Sequence, residues 1–365
     1  MKKKFYFIFL FSIFLFVLTS CNANDKNIAE ASIVETSFTA IESETEKVVD
    51  TSFMATELET EKVVETKVQK KVEELELTID NILLLDDSKI KTFEEKKIFE
   101  SIDEYPKVDG STAMLPLMAK LMEDTCGLTK EKSEENTTCS KTAKAWLNLA
   151  DCIKDLLVVG EPPVDTKWRI LERKKQILYA PIRSDGLIFI VNKDNPIDSL
   201  TEEELIKIYT GEVTNWKELG GNDIEIKAFQ RNEDSGSQSN FIKLLMKDVE
   251  PTKAEFDKQI PDMGGLVDAI ADFDDSDNAI GYSMYYYANY MYTKDNLKML
   301  KVNGVVPTDE SIANGTYPLL SKAYVAIRKD TDENSNVKKL YDYIRSDMGK
   351  NILKELGYIP VNNEK

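Results

Sequence analysis

QRNEDSGSQSNF, residues 230–241, sets the reading of the whole chain. Arg231 stands four residues ahead of a Ser235-Gly236-Ser237 turn, and the turn runs into the helical apolar spacing of Phe241, Leu244, Leu245 and Met246. A helix that opens on small hydroxyl residues offers unpaired backbone N–H groups and the positive end of its dipole, which together attract anions. A guanidinium beside them makes a tetrahedral oxyanion the expected guest. By themselves the same residues also describe an ordinary serine cap behind an exposed arginine, so the rest of the chain has to decide.

The 365 residues are too many for one core, and two lobes of ordinary size with appendages are expected. A net charge of −18 argues against nucleic acid as a partner, since phosphate-backbone binding needs a basic face. An acidic chain that holds an anion must build its positive site locally, against its own field. There is no histidine, which removes Ser-His-Asp chemistry, the common histidine zinc sites and histidine acid/base catalysis. No metal-ligand cluster and no cofactor motif stands out, so neither metal nor cofactor is expected.

Residues 1–20 carry a Lys2-Lys3-Lys4 head and an apolar run ending in small residues before Cys21, the layout of an export signal. The run is short for a spanning helix. Of the remaining cysteines, Cys126 and Cys139 bracket the polar stretch GLTKEKSEENTT, and a disulfide closing it is possible outside the cytoplasm. Cys152, in an apolar-periodic stretch, is expected to be a buried small hydrophobe.

From residue 22 to about 74 the chain is rich in Glu, Thr, Val and Lys. It contains a tandem repeat, TSFTAIESETEKVVD (36–50) and TSFMATELETEKVVE (51–65). Two copies do not make a solenoid, and the valine spacing does not sustain heptads. A solvated stalk over residues 21–104 is the expectation, with residues 70–104 more helical and either packing on the domain or extending the stalk. The globular part is placed from residue 105. Ser111 and Thr112 open one amphipathic helix and Ser140 and Thr142 a second, while DLLVVG (155–160) reads as a buried parallel strand with Glu161 at its carboxyl end. Open α/β sheets bind ligands at that edge. Two further strands, 177–181 and 186–192, a Gly-stopped helix after Ser199-Leu200-Thr201, and a closing strand with one long amphipathic helix complete an alternating α/β pattern that indicates parallel sheets.

Taken in order, DGSTA from Asp109, the Ser140-Lys141-Thr142 helix start, the strand ending in Glu161-Pro162, DGLIFIVN from Asp185, YTGEVTNWKELGG up to Gly221, Gln230-Arg231-Asn232 with Ser235-Gly236-Ser237-Gln238, and Ile280-Gly281-Tyr282 resemble the phosphate-binding lipoproteins of bacterial ABC phosphate importers over residues 105–361. The resemblance implies a type II periplasmic-binding-protein fold: two α/β lobes joined by two crossing strands, lobe 1 from 105–192 plus 319–365 and lobe 2 from 193–318. It implies ligand donors at Ser111, Thr112, Ala113, Ser140 and Thr142 from lobe 1 and at Arg231, Ser235, Gly236 and Ser237 from lobe 2. The family commonly has an aspartate near the end of the 155–160 strand that accepts the proton phosphate keeps and sulfate lacks. The candidates here are Glu161, longer by one methylene, and Asp155 at the strand's start, and Glu161 is the favoured counterpart. Leu18-Thr19-Ser20-Cys21 resembles a lipobox, implying a chain lipidated at Cys21, held as a monomer on the outer face of the cytoplasmic membrane and partnered by a permease and its ATPase. Other tetrahedral oxyanions such as sulfate or molybdate, a surface signalling or adhesion role for the stalk, and a phosphatase using Ser235 or Ser237 are the alternatives.

Overall fold

The computed structural model describes residues 81–253, 259–260, 262–272 and 278–361. The export signal, Cys21, the tandem repeat and the stalk up to residue 80 lie outside the described residues. Everything below belongs to one compact unit, Glu73–Lys365.

The elements in chain order are β1 (Leu83–Leu85), β2 (Val108–Gly110), α1 (Leu115–Cys126), α2 (Lys130–Asn136), α3 (Thr142–Ala150), β3 (Leu156–Gly160), α4 (Val164–Glu172) and the long β4 (Ile177–Asn192). They continue as α5 (Glu202–Thr210), β5 (Lys227–Ala228), β6 (Gln230–Arg231), α6 (Gly236–Asn240) running into a π-helical turn (Phe241–Met246), β7 (Gln259–Ile260), α7 (Met263–Asp272), β8 (Ala279–Met284) and β9 (Leu297–Met299). The last are α8 (Asp309–Ala313), β10 (Leu320–Arg328), α9 (Asn336–Arg345), α10 (Asp347–Glu355) and β11 (Ile359–Pro360).

β4 organises the fold. Its first half pairs antiparallel with β10, from Arg328↔Ile177 to Leu320↔Gly186, and its second half pairs antiparallel with β8, from Leu187↔Met284 to Val191↔Ile280. One strand therefore serves two lobes. The chain returns beside it, where Leu187 N–H donates to Leu319 O (2.9 Å) and the Tyr317 hydroxyl donates to Leu187 O (2.9 Å). These are the two crossings. They run in opposite directions, so the middle of the main sheet is antiparallel, and parallel pairing within it is confined to β2–β3, β5–β8 and β1–β4, while β6 and β7 pair parallel apart from it. The sequence suggested parallel sheets throughout; two strands that leave a lobe and come back cannot pair that way.

In lobe 1 the apolar run of β3 is buried on both faces, as its continuity requires. Leu156 and Val158 join the cluster under α1, α9 and α10, whereas Leu157 and Val159 join the one under α3 and α4 with Trp146 and Ile170. Residues 187–191 of β4 anchor the core of lobe 2 with Tyr209, Trp216, Phe241, Leu266 and Ile280. α5 begins with a capping box between Thr201 and Glu204 and ends at Gly211, φ 75°, as the sequence indicated.

Three segments differ from the sequence reading. The strands expected at 177–181 and 186–192 are one, because the register skips at Ile182 and lets Pro181 sit beside a bulge. The single C-terminal helix is two, broken at Ser346; a Cβ on Gly349 would lie 2.1 Å from Ile344 O, so this glycine lets α10 close against the end of α9. Residues 70–104 are expected from the sequence to be more helical and either to pack on the domain or to extend the stalk; those from residue 83 pack on lobe 1, with a 3₁₀ turn at Ile102–Glu104 as their one helical piece. β1 pairs with residues 177–179 of β4, Asp86 accepts from Tyr341 (2.8 Å) and pairs with Arg345, and Phe99 is buried in the core.

Candidate ligand cleft between the lobes

Lobe 1 brings two helix starts to one place. β2 ends at Gly110, where the Val158 carbonyl lies 2.1 Å from the site a Cβ would take, so only glycine fits against β3. Ser111 follows in extended conformation and leads through a 3₁₀ turn, Thr112–Met114, into α1. The second start, Lys141-Thr142, is fixed by Asp109, which is fully buried. Its Oδ1 accepts from the N–H groups of Gly110 (2.8 Å) and Ser140 (2.7 Å), and its Oδ2 accepts from Asn148 Nδ2 (2.9 Å). Ser140 Oγ accepts from the same amide (3.1 Å), so Ser140 is part of the brace behind the site and not of its wall.

Lobe 2 brings Arg231 and the start of α6. Arg231 is buried, donating from Nε to Ile260 O (3.0 Å) and from Nη1 to Ser237 Oγ (3.2 Å), and Ser237 Oγ in turn lies 2.9 Å from Ser235 Oγ. Its backbone N–H is held by the Tyr282 hydroxyl (3.0 Å) and Gln238 Oε1 (3.1 Å). Burial pulls the guanidinium below its ordinary pKa, opposed by Tyr282, Asp262 and Tyr287, the sign expected of a charge stripped of water.

The two halves meet. A Cβ on Gly236 would lie 2.4 Å from Thr142 Oγ1, so α6 of one lobe starts directly against α3 of the other. Between them is a cavity of about 60 Å³ walled by Ser111, Thr112, Ala113 and Thr142 from lobe 1 and by Arg231, Ser235, Gly236 and Ser237 from lobe 2. Four basic side chains, Lys141, Arg183, Arg231 and Lys322, and one acidic one, Asp185, share that wall. A local excess of positive charge is what an acidic protein needs to hold an anion.

Glu161 is placed elsewhere. It ends β3 outside the cavity wall, with Oε1 accepting from Lys167 of α4 (2.9 Å) and Oε2 from Lys243 of lobe 2. Burial would raise its carboxyl, but the two lysines outweigh that and hold it below the usual range. Glu161 thus ties lobe 1 to lobe 2. Sequence reasoning assigned no role to Arg183 and Asp185, both almost fully buried in the wall. Their signal was available: two charges in the middle of an otherwise apolar strand are costly unless used.

The cysteines also depart from expectation. Cys126 is turned into the lobe 1 core and Cys139 is part-buried at its margin, both as free thiols, because the stretch between them is not a loop but α2, capped by Thr129 and packed on α1. Cys152 is exposed at φ 59°, just past the end of α3, where the chain turns away from the core. Among the described residues no cluster suited to a metal ion occurs, and no helix is long and apolar enough to cross a membrane.

The family model described as a PBP superfamily domain matches residues 100–348. The chain belongs to the PBP superfamily. Among similar curated proteins, the phosphate-binding protein PstS of Bacillus subtilis (strain 168) is 29% identical over 262 residues, covering 71% of this chain and 81% of that protein. PstS of Borreliella burgdorferi is 28% identical over 260 residues, covering 70% and 89%. The crystal structure of an ABC-type phosphate transport receptor from Vibrio cholerae superposes with a TM-score of 0.53 at 22% identity, over 69% of this chain and 98% of that one. This PBP chain has the type II arrangement, two α/β lobes on two crossing strands with the cleft between them.

Proposed function

We propose that this protein captures inorganic phosphate between its lobes and delivers it to an ABC importer. The cavity carries the reading. At about 10–15 Å³ per water-sized occupant, 60 Å³ suits a guest of a few heavy atoms, the size of a tetrahedral oxyanion. The lining supports the same guest: hydroxyls of Ser111, Thr112, Thr142, Ser235 and Ser237, N–H groups of the two helix starts including Ala113 and Gly236, and the Arg231 guanidinium. Hydrogen bonds of roughly 0.5–3 kcal/mol each add up to about −8 kcal/mol, a micromolar complex.

The similarity to two proteins named PstS supports phosphate over other tetrahedral anions and an importer as the receiving partner. Lobe 1 would comprise 105–192 plus 319–365 and lobe 2 193–318, the two closing as units on the ligand. The signal-like residues 1–20 and the lipobox-like approach to Cys21 support export and a lipid anchor on the outer face of the membrane.

Calorimetric titration of the full chain, stripped of bound anion, with phosphate, sulfate and molybdate tests this. Phosphate is expected to bind at about micromolar Kd or tighter, sulfate far more weakly, and Arg231→Ala to weaken phosphate by about 100-fold. An absence of heat with phosphate would sink the assignment.

A further inference from the structure

The end of the chain also links the lobes. Gly357 (φ 80°) turns the chain off α10, and β11 then pairs with β4 at Ile359↔Ser184 and Pro360↔Arg183. Around this tail the lobes exchange side chains. Tyr286, which follows β8 in lobe 2, is only 4% exposed and is buried in the core of lobe 1 beside Tyr358, whereas Ile359 of the tail packs against the core of lobe 2. The Tyr286 and Tyr358 rings stack with centroids 3.7 Å apart, the Arg183 guanidinium lies over both, and the Tyr286 hydroxyl donates to Leu356 O (2.9 Å). The Tyr286 N–H is fixed in turn by Asp185 Oδ1 (3.1 Å). On the far side of the stack the Tyr358 hydroxyl donates to Ala113 O (2.8 Å), in the 3₁₀ turn that brings Ser111, Thr112 and Ala113 to the cavity. Neither tyrosine lines the cavity itself.

We propose, building on the phosphate reading, that Tyr358 is a positioning residue: it sets the Ala113 turn of lobe 1 at the ligand, and its stack with Tyr286 ties that setting to lobe 2. Hydrogen bonds weaken steeply once distance and angle leave the favoured range, so a turn whose N–H groups and hydroxyls serve a small guest needs an anchor behind it. Asp109 anchors the second helix start in this way, through Ser140, and Tyr358 anchors the first. The two anchors differ in origin. Asp109 lies wholly within lobe 1, while Tyr358 is held face to face by a ring from the inserted lobe, so a shift of Tyr286 is felt at the Ala113 carbonyl. The contacts run without a gap from Asp185 through Tyr286 and Tyr358 to Ala113. Tyr286 and Tyr358 thus act on affinity without touching the anion.

The test is a double-mutant cycle on phosphate affinity in the full chain, read by calorimetry, with release rates from stopped flow and the melting temperature of the ligand-free protein beside it. Tyr358→Phe removes only the hydroxyl and keeps the stack. A hydrogen bond that merely holds lobe 1 together is lost equally from the free and the bound protein, so it would lower melting and leave Kd alone; that outcome overturns the proposal. A positioning role predicts Kd raised about three- to tenfold, carried by faster release. Tyr286→Leu, which removes the stacked ring, is expected to raise Kd as well, and to add little in the Tyr358→Phe background because both changes act through one hydroxyl. Fully multiplicative effects overturn the proposal too. Should Tyr286→Leu not fold, Tyr286→Phe, which loses only the bond to Leu356 O, takes its place in the cycle with the same expectation. If the unaltered chain binds no phosphate, both readings fail together; if it binds phosphate and Tyr358→Phe binds it equally well, only this one does.

Discussion

At Gly236 the missing side chain is what lets the lobes touch. Its would-be Cβ lies 2.4 Å from Thr142 Oγ1, a distance no real methyl could keep, and a tight 3.3 Å from Thr142 Cβ. Gly236→Ala should therefore hinder closure without touching either core. Overpacking of this kind costs typically about 1–3 kcal/mol, so ligand affinity should fall about 10- to 100-fold while the melting temperature of the ligand-free protein stays put. Calorimetry and thermal unfolding, run side by side, check both halves of that statement. Single residues are also where the sequence was most and least legible. Ser111, Thr112, Thr142, Arg231 and Ser237 could be singled out because hydroxyl-rich helix starts have a recognisable pattern, and all of them line the cavity. Ser140 shares that pattern yet serves as a brace, since only the fold reveals that Asp109 lies behind it.

At the level of elements, β2 and α3 are locked together by the buried carboxylate of Asp109, which satisfies Gly110, Ser140 and Asn148 at once. Asp109→Ala would leave the N–H groups of Gly110 and Ser140 without partners in or near the core, each at about 1–3 kcal/mol, and Asn148 with Ser140 Oγ alone. The melting temperature should drop by roughly 5 °C or more, and phosphate affinity should fall with it, because two helix starts would lose their common reference. A variant that melts lower but binds as before would show that the helix starts are positioned by something else. Element types were legible where period and caps agreed, as in α5 and β3. They were not where a long-range partner decides: β1 is a strand only because the far end of β4 offers it an edge, and α9 and α10 part at Ser346 only because of how they pack.

For the whole molecule, the tie between Glu161 and Lys243 is one of the contacts that join the lobes beside the crossings, with the Tyr286 ring stacked on Tyr358 (3.7 Å) another. An exposed or half-exposed ion pair is worth about 0.2–1 kcal/mol, so Lys243→Ala should speed phosphate release by only about two- to fivefold in stopped-flow measurements, with Kd raised to match. The sign of its pH dependence follows from the lowered pKa of Glu161. The tie is fully present above the ordinary carboxylate value and is lost as pH falls through the lowered one, so release should quicken in acid in the unaltered protein and much less so in Lys243→Ala. That Glu161 would span the lobes was not readable from its place at a strand end, because the partner lies 82 residues away on the other lobe.

The pairing of β1 with β4, and of Asp86 with Arg345, has a mechanical side as well. Everything that precedes residue 81 joins the fold through lobe 1, so any load on that leader is borne by the half that carries Ser111, Thr112 and Thr142. Lobe 2, with Arg231, carries none of that load directly, because the chain reaches it only through the two crossings.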